Sequence, residues 1–304
     1  MKEIIPIFWA NQEWCLEDEA LKPIKNIDEN HPNWTDYSSI SGTTAPLFAA
    51  SNPLREYREL LHHQILKQLL VNLSDDRTQT PTCVLTHGGI ASGKTSVIEL
   101  WIEITSKNRR YRHLDFDRVK TLIPEYSYMR ERGIKAAAEF VQTESAKLAG
   151  RALKRAIRGA VNIIYEGSLS NLDQITERIR EMKRKGFTII VLSSHVSETK
   201  GQERANGRYL AGGRFVRPAV IQDTYLSCPR TLVQLKGLVD LIFLADNEID
   251  DQPARPILQI KGNHVEIFDD SLYAQYLRTV GSNNTGDMRF FSNKMIKYSL
   301  LSGV

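Results

Sequence analysis

Apolar positions recur at helical spacing over residues 54–73, where Tyr57, Leu61, Ile65 and Leu69 fall on one face, and this predicts a helix. Beyond Pro81 the period changes. Short apolar runs at 82–86, ending at 114–115, and at 162–165, 187–192 and 241–245 read as strands. Helical stretches separate them: 94–106, 135–158 ending near Gly159, 172–185 stopped by Gly186, and one more before the last strand. Strands alternating with helices predict an α/β fold, a three-layer sandwich with a mostly parallel central sheet and helices on both faces. Past Pro256, the runs 257–261 and 265–268 flank Gly262 and Asn263 and predict a hairpin, with a final helix near 272–277. Residues 1–50 lack a sustained period and carry Pro6, Pro23, Pro32 and Pro46 among Phe8, Trp9, Trp14, Trp34 and Tyr37. They are expected to form an irregular arm whose aromatics pack on the main body.

The chain has 304 residues, 41% hydrophobic and 25% charged, which excludes a disordered or fibrous protein and allows two domains or one large α/β domain with extensions. Lys plus Arg number 40 and Asp plus Glu 36, so a net charge of +4 gives no case for a nucleic-acid partner. No run approaches the ~20 apolar residues of a membrane span. The N-terminal Met-Lys-Glu-Ile-Ile-Pro leads to Asn11, Glu13 and Glu17 rather than to an apolar stretch and a cleavage site, so no signal peptide is expected. Cys15, Cys83 and Cys228 are odd in number and far apart, which supports neither a disulfide framework nor a zinc site. A cytoplasmic location fits.

The chemistry begins at Gly88-Gly89-Ile90-Ala91-Ser92-Gly93-Lys94-Thr95, which satisfies G-x-x-x-x-G-K-[ST] between a predicted strand and a predicted helix. Glycines let the backbone curl so that successive N–H groups face phosphate oxygens, and the helix N-terminus adds partial positive charge. In this reading residues 88–95 and Ser96 bind ATP, Lys94 reaches the β- and γ-phosphates, and the Thr95 hydroxyl ligates Mg²⁺.

Carboxylates cluster where ligands bind in parallel sheets, beyond the strands' carboxyl ends. Asp115 and Asp117 close the second strand, and if it persists both face one cleft; the alternative is that Asp117 caps the following helix. Glu166 follows the third strand, beside Gly167 and Ser168, and suits an outer-sphere Mg²⁺ partner or a substrate contact, or else a solvated strand end. Glu144 shares a helical stripe with Ala137, Val141, Leu148 and Ala152, so it lies on a face that should be apolar; it is either a ligand-binding acid or half of an ion pair with an arginine. Arg204 and Arg208 are four residues apart on one helix face, and Arg214 follows Gly212 and Gly213. Together they suit a clamp on a triphosphate in transfer, against a solvated basic helix as the alternative. His87, beside the loop, reads as packing.

Taken in order, these blocks resemble the zeta toxins, P-loop kinases of bacterial toxin–antitoxin systems. The resemblance covers residues 81–247. It rests on G-G-I-A-S-G-K-T at Gly88, L-D-F-D at Leu114 with P-E-Y at Pro124, T-E-S-A-K-L-A at Thr143, N-I-I-Y-E-G-S at Asn162, R-A-N-G-R at Arg204, G-G-R-F-V at Gly212, and a strand ending in Asp246-Asn247. It implies that Lys94 is the phosphate-loop lysine and Asp117 the base that takes a proton from a sugar hydroxyl. It also implies that Glu144 is a substrate-binding acid and that Arg204, Arg208 and Arg214 meet the nucleotide phosphates. Asp115, Glu166 and Ser168 complete the expected acceptor contacts. The implied acceptor is UDP-N-acetylglucosamine at its 3′-hydroxyl, with ATP and Mg²⁺ as cofactors and, for a toxin, an antitoxin protein as partner. Three departures lie near the acceptor positions. Ser168 stands for the usual Thr, Leu169 and Ser170 replace a Gly and a charged residue, and Arg217 interrupts an Arg-aromatic-Val-Pro run.

The expected division is an arm plus helix packed on the core over 1–80, a P-loop kinase core over 81–250 and an extension over 251–304. The expected activity is phosphoryl transfer from ATP to an alcohol of a nucleotide-linked small molecule. Its rivals are a kinase for a nucleoside, dinucleotide cofactor or antibiotic, and an NTPase switch. A GTPase would carry N-K-x-D, but Asn293-Lys294-Met295-Ile296 lacks the Asp. A transporter-type ATPase would carry a catalytic Glu after Asp246, where Asn247 stands.

Overall fold

A computed structural model describes residues 5–9, 12–16, 44–45, 55–70, 80–105, 110–167, 169, 172–212, 214–281 and 295–296. Of the expected site residues, Ser168 lies outside this set, as do Gly213, Trp34 and Tyr37. The chain forms two compact units that interleave in sequence: Met1–Val71, Leu114–Lys154 and Ala205–Val216 make one, and Asn72–His113, Arg155–Arg204 and Arg217–Val304 the other.

In the first unit, β1 (Ile5–Trp9) and β2 (Gln12–Leu16) pair antiparallel, with Trp9 opposite Gln12. This corrects the irregular arm expected there. Ile5, Ile7, Phe8, Trp9 and Trp14 are good strand formers, and over ten residues that preference outweighs Pro6. Helix α1 (Arg55–Leu69) follows, burying Leu61, Ile65, Leu66 and Leu69 along one stripe.

The second unit holds β3 (Thr82–His87), α2 (Lys94–Thr105), the start of β4 (Arg112–Asp115), β5 (Ile163–Glu166), α7 (Leu172–Arg184), β6 (Thr188–His195), α9 (Pro218–Leu235), β7 (Leu241–Asp246), β8 (Arg255–Lys261), β9 (His264–Ile267), α10 (Asp270–Gly281) and β10 (Met295–Ile296). Among the described residues the sheet order is β10-β9-β8-β7-β6-β3-β5-β4. β5, β3, β6 and β7 run parallel, while β8 turns antiparallel to β7 and pairs with β9 through the hairpin at Gly262. Alternation divides each central strand between two buried faces. Val84, Ile164, Ile190, Leu192, Phe243 and Ala245 pack with Val97, Ile98 and Trp101 of α2. On the other face His87 reaches the Cys228 carbonyl of α9. The sheet is therefore covered by helices on both sides, as the α/β pattern predicts. Among the described residues no helix is long and apolar enough to cross a membrane.

Between β4 and β5 the chain runs α3 (Phe116–Thr121), α4 (Pro124–Glu131), α5 (Ala137–Phe140) and α6 (Gln142–Gly159). The single helix expected over 135–158 is thus broken after Phe140. The reason is tertiary. The Phe140 carbonyl accepts the Thr44 N–H at 3.0 Å, and α6 restarts with Ser145 N donating to Val141 O. Helix α8 (Glu198–Gly212) carries the arginine segment.

Candidate functional site

The second unit carries the phosphate loop. Gly88 and Gly93 adopt φ of 137° and 81°, conformations L side chains rarely adopt. Space closes the case: a Cβ on Gly93 would lie 1.7 Å from Asn247 Nδ2, and one on Gly88 2.4 Å from the Ser194 carbonyl. The same neighbours brace the loop, since Ser194 Oγ and Asn247 Nδ2 both donate to Ser92 O, at 2.6 and 3.1 Å. The Lys94 ammonium folds back on the loop and donates to the Gly88 and Gly89 carbonyls at 3.3 and 2.9 Å. A lysine poised on loop carbonyls can exchange them for phosphate oxygens at little cost.

Thr95 lies in the first turn of α2, and its hydroxyl donates to Glu166 Oε1 at 3.2 Å; the other carboxylate oxygen meets His113 Nε2 at 2.7 Å. Burial pushes Glu166 up, but the His113 ring, the Thr95 hydroxyl and the Lys94 charge outweigh it and hold the carboxyl below its usual range. An ionised carboxylate beside a hydroxyl is an all-oxygen donor set of the kind Mg²⁺ takes. Sequence reasoning missed His113, because a lone histidine in a short strand carries no spacing signal.

Arg204 stands on the same unit, two guanidinium nitrogens (Nε and Nη2) bound to Asp250 Oδ1 at 2.7 and 2.6 Å. Its third nitrogen, Nη1, is buried, lies 3.7 Å from where a Gly93 Cβ would be, and has no hydrogen-bond partner among the described residues. That donor faces the loop. His87 is buried with Nε2 donating to the Cys228 carbonyl and Nδ1 accepting from Ser193, and burial pushes its pKa down to about 4, so it is neutral packing as expected.

The first unit holds the other expected residues. The strand does not persist through Asp117: it ends at Asp115, which is the N-cap of α3 and accepts the Asp117 N–H at 2.8 Å. Asp117 therefore lies in the first helical turn rather than beside Asp115 on an extended edge, and it is Asp115, not Asp117, that caps. The cap wins because a short carboxylate next to free helix amides satisfies them without solvent. Asp117 is half-exposed and forms an ion pair with Arg214, and its Oδ1 lies 3.5 Å from Lys120 Nζ. Arg130 donates to the Gly212 carbonyl, and Lys135 lies over the Tyr209 and Phe215 rings, so the segment bearing Arg214 is tied down on both sides. Arg208 is exposed on α8.

Glu144 is fully buried and engaged internally. Arg58 of α1 donates to both its oxygens, His62 Nε2 lies 2.6 Å from Oε1, and Arg58 also binds Glu125 at 2.7 Å. Burial pushes the Glu144 carboxyl up, but His62 and Arg58 pull it down to about 2. The ion pair with an arginine, one of the two alternatives, is present, and it engages both Glu144 oxygens. Leu169, where the resemblance expects glycine, has φ of 54° and is buried. A leucine held there is strained, and its burial offsets part of that cost.

A zeta toxin family model matches residues 69–250. The structure of the native AvrRxo1-ORF1:ORF2 complex aligns with a TM-score of 0.57 at 17% identity, over 81% of this chain and 84% of that one. The same complex with ATP aligns with a TM-score of 0.57 at 17% identity, over 82% and 84%. At that identity the likeness speaks to the fold. The PezAT toxin–antitoxin system of Streptococcus pneumoniae aligns with a TM-score of 0.49 at 17% identity, over 63% of this chain and 76% of that chain. No curated protein sequence matches significantly.

Proposed function

The chain belongs to the zeta toxin family, and from that premise we propose that it is a kinase transferring the γ-phosphate of ATP to a hydroxyl of UDP-N-acetylglucosamine, as the toxin of a toxin–antitoxin pair. The observation that carries the proposal is the order Lys94-Thr95 at a glycine loop, with the Thr95 hydroxyl against Glu166. An ammonium, a hydroxyl and a carboxylate so placed hold a triphosphate and its metal. The fold it shares with AvrRxo1-ORF1:ORF2, a complex obtained with ATP, supports ATP as the nucleotide.

In this reading residues 88–96 cradle the phosphates, and Lys94 leaves its loop carbonyls for the β- and γ-oxygens. Mg²⁺ held by Thr95, with Glu166 beside it, supplies charge neutralisation. The free Nη1 of Arg204 adds a donor on the phosphates, and Arg208 and Arg214 extend the positive field. Asp117, paired with Arg214, orients the acceptor hydroxyl and takes its proton. Asp115 sets the start of α3 and so the aim of Asp117, while Glu166 and Ser168 border the acceptor. On this reading the protein works in the cytoplasm, where ATP and nucleotide sugars are found.

The test is a reaction of the purified chain with ATP, Mg²⁺ and UDP-N-acetylglucosamine, followed by mass spectrometry of the nucleotide sugar. A monophosphorylated nucleotide sugar is expected, with ADP formed only when acceptor is present. ADP release without any acceptor overturns the kinase reading in favour of an NTPase; transfer to a nucleoside, dinucleotide or antibiotic instead overturns the acceptor.

A further inference from the structure

The back of the phosphate loop is held by two adjacent residues of α9. The Ile90 N–H donates to Thr224 Oγ1 at 3.2 Å, and the Ile90 carbonyl accepts from Tyr225 Oη at 3.0 Å. Both backbone groups at the loop's apex are thereby engaged from one side. The Thr224 hydroxyl spends its own hydrogen on the Ile221 carbonyl at 2.7 Å, which fixes its lone pairs toward Ile90. The Tyr225 ring then fills a gap that only two glycines leave. A Cβ on Gly89 would lie 2.5 Å from the ring, and a Cβ on Gly201 of α8 would lie 2.0 Å from its hydroxyl oxygen. Such distances are far inside van der Waals contact, so the loop and α8 approach as closely as they do because both contacts lack side chains.

Gly201 also decides where Arg204 goes. The two are three residues apart on α8 and share a face. The close approach at Gly201 brings Arg204 beside Gly93, with its Nη1 buried and without a partner among the described residues. Alanine would be the better helix former at position 201 by about 1 kcal/mol. A glycine there exchanges helix propensity for proximity.

We propose that Tyr225, with Thr224, is a positioning residue that sets the register between the phosphate loop and α8, so that Arg204 meets the nucleotide phosphates. The inference deepens the kinase reading and rests on its ATP-binding half.

ATP affinity measured by titration calorimetry with Mg²⁺, beside thermal unfolding of each variant, tests it. Tyr225→Phe keeps the ring and drops the bond to Ile90; ATP affinity should fall about three- to tenfold while the melting temperature holds. Thr224→Val should do the same, and Thr224→Ser should recover most of that loss. Gly201→Ala should weaken ATP binding in the wild-type background and have no further effect once Arg204→Ala is in place, because the loss runs through the arginine. Wild-type affinity in Tyr225→Phe overturns the inference, as does an equal loss from Gly201→Ala with and without Arg204. A wild-type chain that binds no ATP overturns the kinase reading itself and the inference with it.

Discussion

Arg58 donates from Nε and Nη2 to the two oxygens of Glu144, each at 2.6 Å, and from Nη1 to Glu125 at 2.7 Å, so one guanidinium is shared by two carboxylates that meet no solvent. Removing one partner of a buried pair costs about 3 to 5 kcal/mol, because the survivors stay buried and charged. Arg58→Met should therefore lower stability by about 3 kcal/mol or more at pH 7, read from urea unfolding.

The pH dependence of that variant should reverse sign. In the wild type the Glu144 carboxyl sits at about 2, below its ordinary 4.5, so its contribution is full above pH 4.5 and is lost as pH falls toward 2. Without the arginine the same burial raises the carboxyl, and stability then falls as pH rises from acid toward neutrality. An acid limb unchanged from wild type would show that Arg58 does not carry the pair.

Lys120 gives the wild type a second rise of stability with pH, at the alkaline end. Burial pushes its ammonium down to about 8, with the Asp115 field opposing. Between pH 8 and 10.5 the unfolded chain binds more protons than the folded one, so stability should rise across that window. Lys120→Met should remove the rise and stabilise the protein at pH 7 by about 2 to 3 kcal/mol. A flat wild-type profile between those values would place the ammonium in water.

Lys94 tests the nucleotide site. Its ammonium donates to the loop carbonyls of Gly88 and Gly89, bonds it can exchange for phosphate oxygens. Lys94→Ala should unfold at the wild-type temperature and lose phosphoryl transfer. Near-normal turnover, or a collapsed fold, would overturn its role.

What was legible in the sequence is what is local. The phosphate loop could be read because its turn, its lysine and its hydroxyl are contiguous, and the sheet could be read because each buried strand is a short apolar run bounded by turns. Glu144 shows the limit. Its place on an apolar stripe announced a buried carboxylate, but its partner Arg58 lies 86 residues away, and no local pattern selects that arginine among many. The break in the long helix is similar, since it depends on a Thr44 amide reaching Phe140. Asp117 shows a different limit: spacing placed two carboxylates at a strand end, but which one caps the next helix depends on where the strand stops. Thr224 and Tyr225 belong to no motif at all. Their significance appears only once Gly89 and Gly201 are seen against one ring.

That cap separates the two aspartates by experiment. Asp115 accepts the Asp117 amide, a role asparagine also fills, so Asp115→Asn should keep the fold and much of the transfer, whereas Asp115→Ala should cost about 1 kcal/mol of stability. Asp117 is half-exposed and paired with Arg214. Asp117→Asn preserves size and hydrogen bonding but removes the carboxylate charge, and a general base is worth ~10² to 10⁴ in rate. The variant should bind ATP as the wild type does and lose transfer to the sugar by about that factor. Arg214→Ala, by removing the cation paired with Asp117 Oδ2, should lower kcat with little change in ATP affinity. Full turnover in Asp117→Asn together with loss in Asp115→Asn would reverse the assignment and make the cap residue the base.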